Sequence, residues 1–399
     1  MKKIVLVIEL VLIVLFSASC QKPKRRVEKL AEKPQYDKPL PPGQLALRKI
    51  TNPADIPDFT FACYDLLYLK SAAAKSLNYL SKPSSKQFYP YGEITHERAV
   101  NSLKAFIELL DSNNLRGRQL NDAIREKFDV YISVGCDDKG TVLFTGYYTP
   151  IFDGSLTRTD KFQYPLYKQP PDLVKGPKGE IIGRRGANGQ IEPYPSRKIL
   201  EVSGSLLGQE LVWLGDLFEV YIAHVQGSAK IRLPDGKLFG VGYTASNGHD
   251  YKSLSKAMVE QGKISADQMS LSAMIDYFKK HPDEVAPCTQ LNPRFVFFME
   301  EKGEPRGSLN EEVTTLRTIA TDKSIFPPAN LTFISTRLPF EKDGVISDRP
   351  YTGFAFDQDT GGAIRAAGRC DVYMGVGDKA GKRAGRTYQE GRLYYLFIK

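Results

Sequence analysis

Two carboxylates lie close together near the C-terminus. Asp359 heads the run Asp-Thr-Gly-Gly-Ala-Ile364, and Asp371 sits inside Cys370-Asp-Val-Tyr-Met-Gly375. Each stands at the edge of a strand-like stretch beside glycines, which let a ligand approach the backbone closely. Asp371 is flanked by Cys370, Val372 and Tyr373, an apolar setting. Burial there lifts a carboxyl above its ordinary pKa of about 3.9 and lets it hold a proton near neutrality. Such a group can work as a general acid. An Asp beside Gly is also a common turn residue, so the pattern alone leaves both roles open.

Other chemistries lack their parts. Cys63, Cys136, Cys288 and Cys370 are too far apart in the chain to form a Cys-x-x-Cys pair, so no zinc site is expected; disulfides among them are open, without an assigned pairing. His96, His224, His249 and His281 are scattered singly. No Gly-rich phosphate loop opens a helix after a strand, and neither a Gly-x-Ser-x-Gly elbow nor a zinc-protease His pair occurs. No cofactor and no metal are expected. Of the net charge of +9 about half belongs to the leader and the Pro-rich stretch after it; the mild positive balance of the remainder suits an anionic polymer, but no basic patch interleaved with aromatics points to nucleic acid. The 21 Tyr and 21 Phe against one Trp supply flat apolar surface for a core or for stacking on sugars.

The elements that would carry these residues change character along the chain. Lys2 and Lys3, an apolar run from Ile4 to Phe16, and Ser17-Ala18-Ser19 before Cys20 have the form of a secretory leader, with Cys20 as a lipidation site. Residues 21–43 hold five prolines and seven basic side chains and read as a tether. Apolar spacing predicts helices over 60–81, from 96 behind Thr95 as N-cap, and around 120–128. Strands are expected over 142–152, 211–225, 229–233 and 237–244, with Pro234-Asp235-Gly236 as a hairpin turn. Residues 175–195 read as a surface loop. Helices follow over 253–261 and 266–280, the second with Ser265 as cap, and strands return over 294–299, 331–338, 353–356, 371–375 and 392–398.

Seven segments occur in one order: Phe144-Thr-Gly-Tyr-Tyr-Thr-Pro150, Phe162-Gln-Tyr-Pro-Leu-Tyr167, Tyr194-Pro-Ser-Arg197, Val225-Gln-Gly-Ser228, Asn247-Gly-His249 with Tyr251, Asn292-Pro-Arg-Phe-Val-Phe-Phe298 and Asp359-Thr-Gly-Gly-Ala-Ile364. Together they resemble the membrane-bound lytic murein transglycosylase A family, over roughly residues 144–396. The resemblance implies a mainly β fold with helices: a double-psi β-barrel, a second β domain inserted into it, and a sugar-binding groove between them. The corresponding division is a leader (1–19), a tether (20–44), a helical layer with the first part of the barrel (45–148), the insert (149–299), and the rest of the barrel with the three-Asp region (300–399).

The resemblance also implies a reaction on peptidoglycan glycan strands. The β-1,4 bond between N-acetylmuramic acid and N-acetylglucosamine is cleaved without water, leaving a 1,6-anhydro end. Because the substrate's C6 hydroxyl is the nucleophile, one carboxyl suffices as acid and then base, and the family motif places it at Asp371. Asp359 has a supporting role, while Asp357 and Asp378 compete for the third Asp. Thr145, Tyr148, Gln226, Gly227, Ser228, Asn247 and Tyr251 are the expected substrate contacts. Strand alternation allows only one of Tyr147 and Tyr148 to face the groove, and Tyr148 is favoured. His249 is expected to be structural, and Lys382-Arg383 to meet peptide-stem carboxylates or solvent. A lipid on Cys20 would hold the protein at the periplasmic face of the outer membrane. Two rivals use the same residues: a hydrolytic muramidase with Asp359 and Asp371 as a carboxylate pair, and a non-catalytic peptidoglycan-binding lipoprotein.

Overall fold

The computed structural model describes residues 34–112, 115–177 and 179–399. The leader, Cys20, the tether up to Lys33 and Asn113-Asn114 lie outside the described residues. After a short strand β1 (Leu47–Lys49) come α1 (Leu69–Leu80), α2 (His96–Asp111) and α3 (Gly117–Lys127). Helix α2 starts as its sequence predicts, with the Thr95 hydroxyl accepting the Arg98 N–H at 3.1 Å. Helix α1 is shorter than the apolar spacing suggests. Tyr68 takes a left-handed backbone with φ 63°, which a right-handed helix cannot continue, so Phe61 and Leu66 fall in a short turn and a loop instead.

The chain then forms β2 (Phe128–Ser133), β3 (Val142–Thr149) and β4 (Ile151–Ser155). Pro150 alone separates β3 from β4, and there the chain leaves one sheet for another. The middle region continues through β5 (Tyr164–Tyr167), β6 (Leu173–Lys175), β7 (Ile181–Arg185), β8 (Ile191–Glu192), α4 (Arg197–Ser203), β9 (Glu210–Leu214) and α5 (Leu217–Gln226). It ends with β10 (Ser228–Arg232), β11 (Leu238–Ser246), α6 (Leu254–Glu260), α7 (Leu271–Lys280), α8 (Val285–Thr289) and β12 (Val296–Glu300). Six of these strands form a sheet in the order β12-β11-β10-β4-β9-β5, with α5 to α8 contributing to its apolar core.

Three expectations for this region are corrected. Residues 211–225 are a short strand followed by helix α5, not one strand. Val220, Tyr221, Ile222, Ala223 and His224 are all buried, so no polar face betrays the helical period; the start is fixed instead by Asp216, whose carboxylate accepts the N–H groups of Phe218 and Glu219. Residues 175–195 are not a bare loop, because β6, β7 and β8 pair into a three-stranded sheet. Helix α7 starts at Leu271 behind Ser270, whose hydroxyl accepts from Ala273 N–H at 3.1 Å; Ser265 and Gln268 close a turn before it.

The C-terminal part supplies β13 (Thr318–Ala320), β14 (Leu331–Lys342), β15 (Val345–Asp359), β16 (Arg369–Val376), α9 (Asp378–Arg386) and β17 (Tyr388–Ile398). Strands β17-β14-β15-β13-β16-β3 follow one another, and β17 pairs back onto β3 to close a six-stranded barrel. The fold is thus mainly β with helices, as the resemblance implies. One edge of β17 is shared: residues 388–391 pair with β3, and residues 394–398 with β2. Helices α1 and α2 pack outside the barrel, and its core is filled by Phe144, Phe333, Phe354, Phe356, Val372 and Tyr395.

Candidate active site

Register assembles the site. In β13, Ala320 pairs with Asp359 of β15 on one side and with Asp371 of β16 on the other. Asp371 in turn pairs with Thr145 of β3. Laterally paired residues share a face, so Asp359, Ala320, Asp371 and Thr145 form a row across four strands. A bulge makes the row possible: Ile319 pairs with Asp357, but Ala320 pairs with Asp359, leaving Gln358 as the extra residue. Gln358 is buried and bonds to the Ala72 carbonyl, the Ser76 hydroxyl and the Thr318 hydroxyl instead.

The two carboxylates differ in what already holds them. Asp359 accepts three hydrogen bonds, each at 2.8 Å, from the Tyr147 hydroxyl and from the Ser308 and Thr360 N–H groups. Burial raises its pKa, against the pull of these donors. Asp371 accepts one hydrogen bond, from the Thr145 hydroxyl to Oδ1, and Arg369 Nη2 stands 3.8 Å from the same oxygen. Its Oδ2 carries no bond among the described residues. Burial, opposed by Arg369 and assisted by the Asp359 charge, pushes the Asp371 carboxyl up to about 6. Its side chain is still 17 % exposed, so the proton can reach a ligand. Ala320 between the two adds only a methyl group, which leaves the space open.

Both carboxyls line a cavity of about 680 Å³, within the usual range for ligand sites. The barrel side contributes Gly146, Tyr147, Ala320, Tyr373 and the Thr360–Arg365 turn; the inserted sheet and its helices contribute Gln226, Gly227, Ser228, Tyr243, Tyr251 and Arg294. The two sides are tied at the end of β3. Gln226 Oε1 accepts the Tyr148 N–H at 3.1 Å, and Thr149 Oγ1 bridges Ser228 Oγ at 3.2 Å and the Tyr373 hydroxyl at 3.0 Å. Gly227 ends α5 in a left-handed conformation, φ 77°, which turns the chain into β10. A helix end therefore brings Gln226 and Ser228 together.

Of the expected contacts, Gln226, Gly227, Ser228 and Tyr251 line the cavity, while Thr145 meets it through Asp371. Two do not belong there. Tyr148 is buried against α9, so close that a Cβ on Gly381 would lie 2.8 Å from its ring; Tyr147, on the same face as Thr145, occupies the cavity wall. Asn247 is fully used as scaffold: its amide donates to the Pro195 and Pro293 carbonyls, and its oxygen accepts from Phe295 and His249 N–H. His249 Nε2 binds the Tyr194 carbonyl at 2.8 Å, a structural role. Arg383 stacks over Phe340 and donates to the Pro339 carbonyl, away from the cavity, and Lys382 is exposed.

Asp357, a candidate for the third Asp, is fully buried in the barrel with Lys323, Thr321 and Tyr395. Asp378 opens α9 outside the cavity. All four described cysteines are free, and Cys370 is packed in the barrel core on the face of β16 opposite Asp371. The tyrosine on the cavity wall is thus Tyr147 and not the favoured Tyr148, and the sequence alone does not single out Ser308, Ala320 or Arg369. Of these, Arg369 carried a signal, since a residue two before Asp371 shares its strand face.

Comparison with known proteins gives a consistent picture. Residues 143–299 match the MltA specific insert domain, and residues 317–397 match the 3D domain. Membrane-bound lytic murein transglycosylase A of Escherichia coli K12 is 32% identical over 273 residues, covering 67% of this chain and 69% of that protein. The Vibrio cholerae protein of the same name is 30% identical, over 66% of this chain and 68% of its own. A crystal structure of a membrane-bound lytic murein transglycosylase from Agrobacterium tumefaciens shares the fold, with a TM-score of 0.73 at 24% identity over 88% of this chain and 98% of that one. The Escherichia coli MltA structure with bound chitohexaose has a TM-score of 0.66 at 27% identity, over 92% and 96% of the two chains.

Proposed function

Because the chain belongs to the membrane-bound lytic murein transglycosylase A family, we propose that it cleaves peptidoglycan glycan strands at the β-1,4 bond between N-acetylmuramic acid and N-acetylglucosamine, with Asp371 as sole acid and base. The Asp371 carboxyl protonates the bridging oxygen as the bond from C1 to that oxygen breaks. The C6 hydroxyl of the same muramic acid then attacks C1 and gives its proton to the Asp371 carboxylate. A 1,6-anhydro ring forms, no water is consumed, and the carboxyl returns to its starting state.

One observation carries this reading over a hydrolytic pair. Asp359 already accepts three hydrogen bonds, which suits a carboxylate that orients a site, whereas Asp371 keeps an oxygen without a partner among the described residues and burial pushes its carboxyl up to about 6. A hydrolase needs its second carboxylate free to attack carbon or to activate water. The bound chitohexaose of the Escherichia coli relative supports glycan as the ligand of the groove. Tyr147, Gln226, Ser228 and Tyr251 are the proposed sugar contacts, with Gly227 shaping that wall and Thr145 acting on Asp371. The proposed units remain the barrel parts 45–148 and 300–399 and the insert 149–299. Lipid on Cys20 would anchor them to the periplasmic face of the outer membrane, in keeping with the membrane-bound names of the relatives.

The test is mass spectrometry of muropeptides released from purified sacculi. Ends lighter by one water than reducing ends support the proposal. Reducing ends would favour the muramidase, and binding without release would favour the non-catalytic lipoprotein.

A further inference from the structure

Arg369 precedes Asp371 by two residues, so both side chains leave β16 on one face. Strand β16 runs parallel to β3, with Arg369 opposite Leu143 and Asp371 opposite Thr145. Thr145 is therefore diagonal to Arg369, within the reach of a long side chain. The guanidinium uses that reach. Arg369 Nη2 donates to Thr145 Oγ1 at 3.1 Å, and the Thr145 hydroxyl donates to Asp371 Oδ1. The same Nη2 lies 3.8 Å from Asp371 Oδ1. Meanwhile Arg369 Nε is buried without a partner among the described residues, so the side chain is placed at a cost to stability that its own bonds do not explain.

On β16, Cys370 lies on the opposite face and Tyr373 on the same one; on β3, Thr145 and Tyr147 face Asp371; β13 brings Ala320, and β15 beyond it brings Asp359. Arg294, Arg306 and Arg365 also line the cavity, but Arg369 is the cation that acts on Asp371. From the inserted domain, the Tyr251 hydroxyl lies within the influence of the Arg369 charge. Asp359 opposes ionisation of Asp371, and Arg369 favours it. A carboxyl that must first give a proton and then take one back needs both influences. With Asp359 alone beside it, it would hold its proton too firmly; with Arg369 too close, it would have none to give.

We infer that Arg369 is a positioning residue for the cleavage reaction: through the Thr145 hydroxyl and its own charge, it fixes the proton affinity of Asp371 and so the pH at which the acid step fails. This rests on Asp371 being the acid, as proposed above. A cation at this distance typically lowers a carboxyl pKa by one unit or more. Its removal raises that affinity, so the descending limb of the rate profile moves to higher pH.

The experiment measures kcat/KM and kcat against pH on solubilised glycan strands, for wild type, Arg369→Met, Arg369→Lys, Thr145→Val and the double variant Arg369→Met/Thr145→Val. Arg369→Met should move the descending limb up by about one pH unit. Arg369→Lys, which keeps the charge but not the fork, should fall between it and wild type. Thr145→Val should move the limb in the same direction, and the double variant by less than the sum, because the two groups act on one oxygen. A descending limb of Arg369→Met that coincides with wild type, in protein of equal folded fraction by circular dichroism, overturns the inference. If Arg369→Met does not fold, Arg369→Lys and Thr145→Val decide, and two unmoved limbs overturn it. Asp371→Asn is assayed alongside. Retained turnover in that variant defeats the assignment of the acid, whereas an inactive variant with an unmoved Arg369→Met limb defeats only the role of Arg369.

Discussion

Asp359 and Asp371 flank Ala320, each paired with it from an adjacent strand, one in parallel and one in antiparallel register. Two strand spacings separate their backbones, about 10 Å. Across that gap the carboxyls are unequal, since Asp359 is bound by three donors and Asp371 by one. Ala320, a residue only 3% exposed, puts no more than a methyl group between them on the cavity wall.

Filling that gap should stop the reaction without unfolding the barrel. Ala320→Val adds two methyl groups between the carboxyls, with an overpacking cost of about 1–3 kcal/mol. Glycan release by the variant is expected to fall at least tenfold while its circular dichroism spectrum stays that of the wild type. Wild-type turnover in Ala320→Val would show that no substrate atom passes between the two carboxyls.

Burial of Asp371 has a stability consequence with a definite sign. Its folded pKa of about 6 lies above the ordinary 3.8, so the folded state binds the proton more tightly than the unfolded state. Its contribution to stability therefore falls as pH rises from about 4 through about 6, and the loss is complete above that. Asp371→Asn removes the charge, so it should be more stable than wild type at pH 7 by on the order of 2–3 kcal/mol, with no gain at pH 3. Urea denaturation at both pH values checks this, and an equal gain at both would contradict it.

Beneath the site, Asp357 and Lys323 form an ion pair in which Asp357 is fully buried, and Thr321 and Tyr395 each donate to its Oδ2 at 2.8 Å. Removing one partner of such a pair strands the other. Asp357→Ala should lose about 3–5 kcal/mol, and a matched apolar replacement of both Asp357 and Lys323 much less. Chemical denaturation of the two variants makes the comparison; equal losses would mean that Lys323 finds solvent on its own.

Cys20→Ala should yield protein that stays out of the membrane fraction yet cleaves sacculi, because the first described strand begins only at Leu47. Fractionation of cells expressing the variant, followed by zymography, reads both outcomes. Equal membrane recovery of variant and wild type would contradict anchoring at Cys20.

Much of this was legible in the residues, for physical reasons that also mark the limit. Thr95 announced α2 because a hydroxyl before a helical apolar period has one good use, and Asp371 stood out because its neighbours are apolar. The buried faces of helix α5 show no polar period, so its residues look like strand in the sequence. Tyr147 and Tyr148 are chemically alike, so only the packing of Tyr148 on Gly381 separates them. Asn247 carries polar groups that suit a sugar, but the backbone takes them all. The meeting of Asp359 with Ala320 depends on the extra residue Gln358, and a bulge leaves no mark in composition or spacing.

Turnover of purified sacculi by Asp371→Asn, beside Asp359→Asn, tests the central claim most directly. The amide is nearly isosteric, so the groove and glycan binding should survive while the proton is lost. General acid–base catalysis is worth about 10²–10⁴-fold, and Asp371→Asn should fall by at least that, with Asp359→Asn milder. Near-normal turnover by Asp371→Asn would contradict the account and send the search for the acid to Asp359.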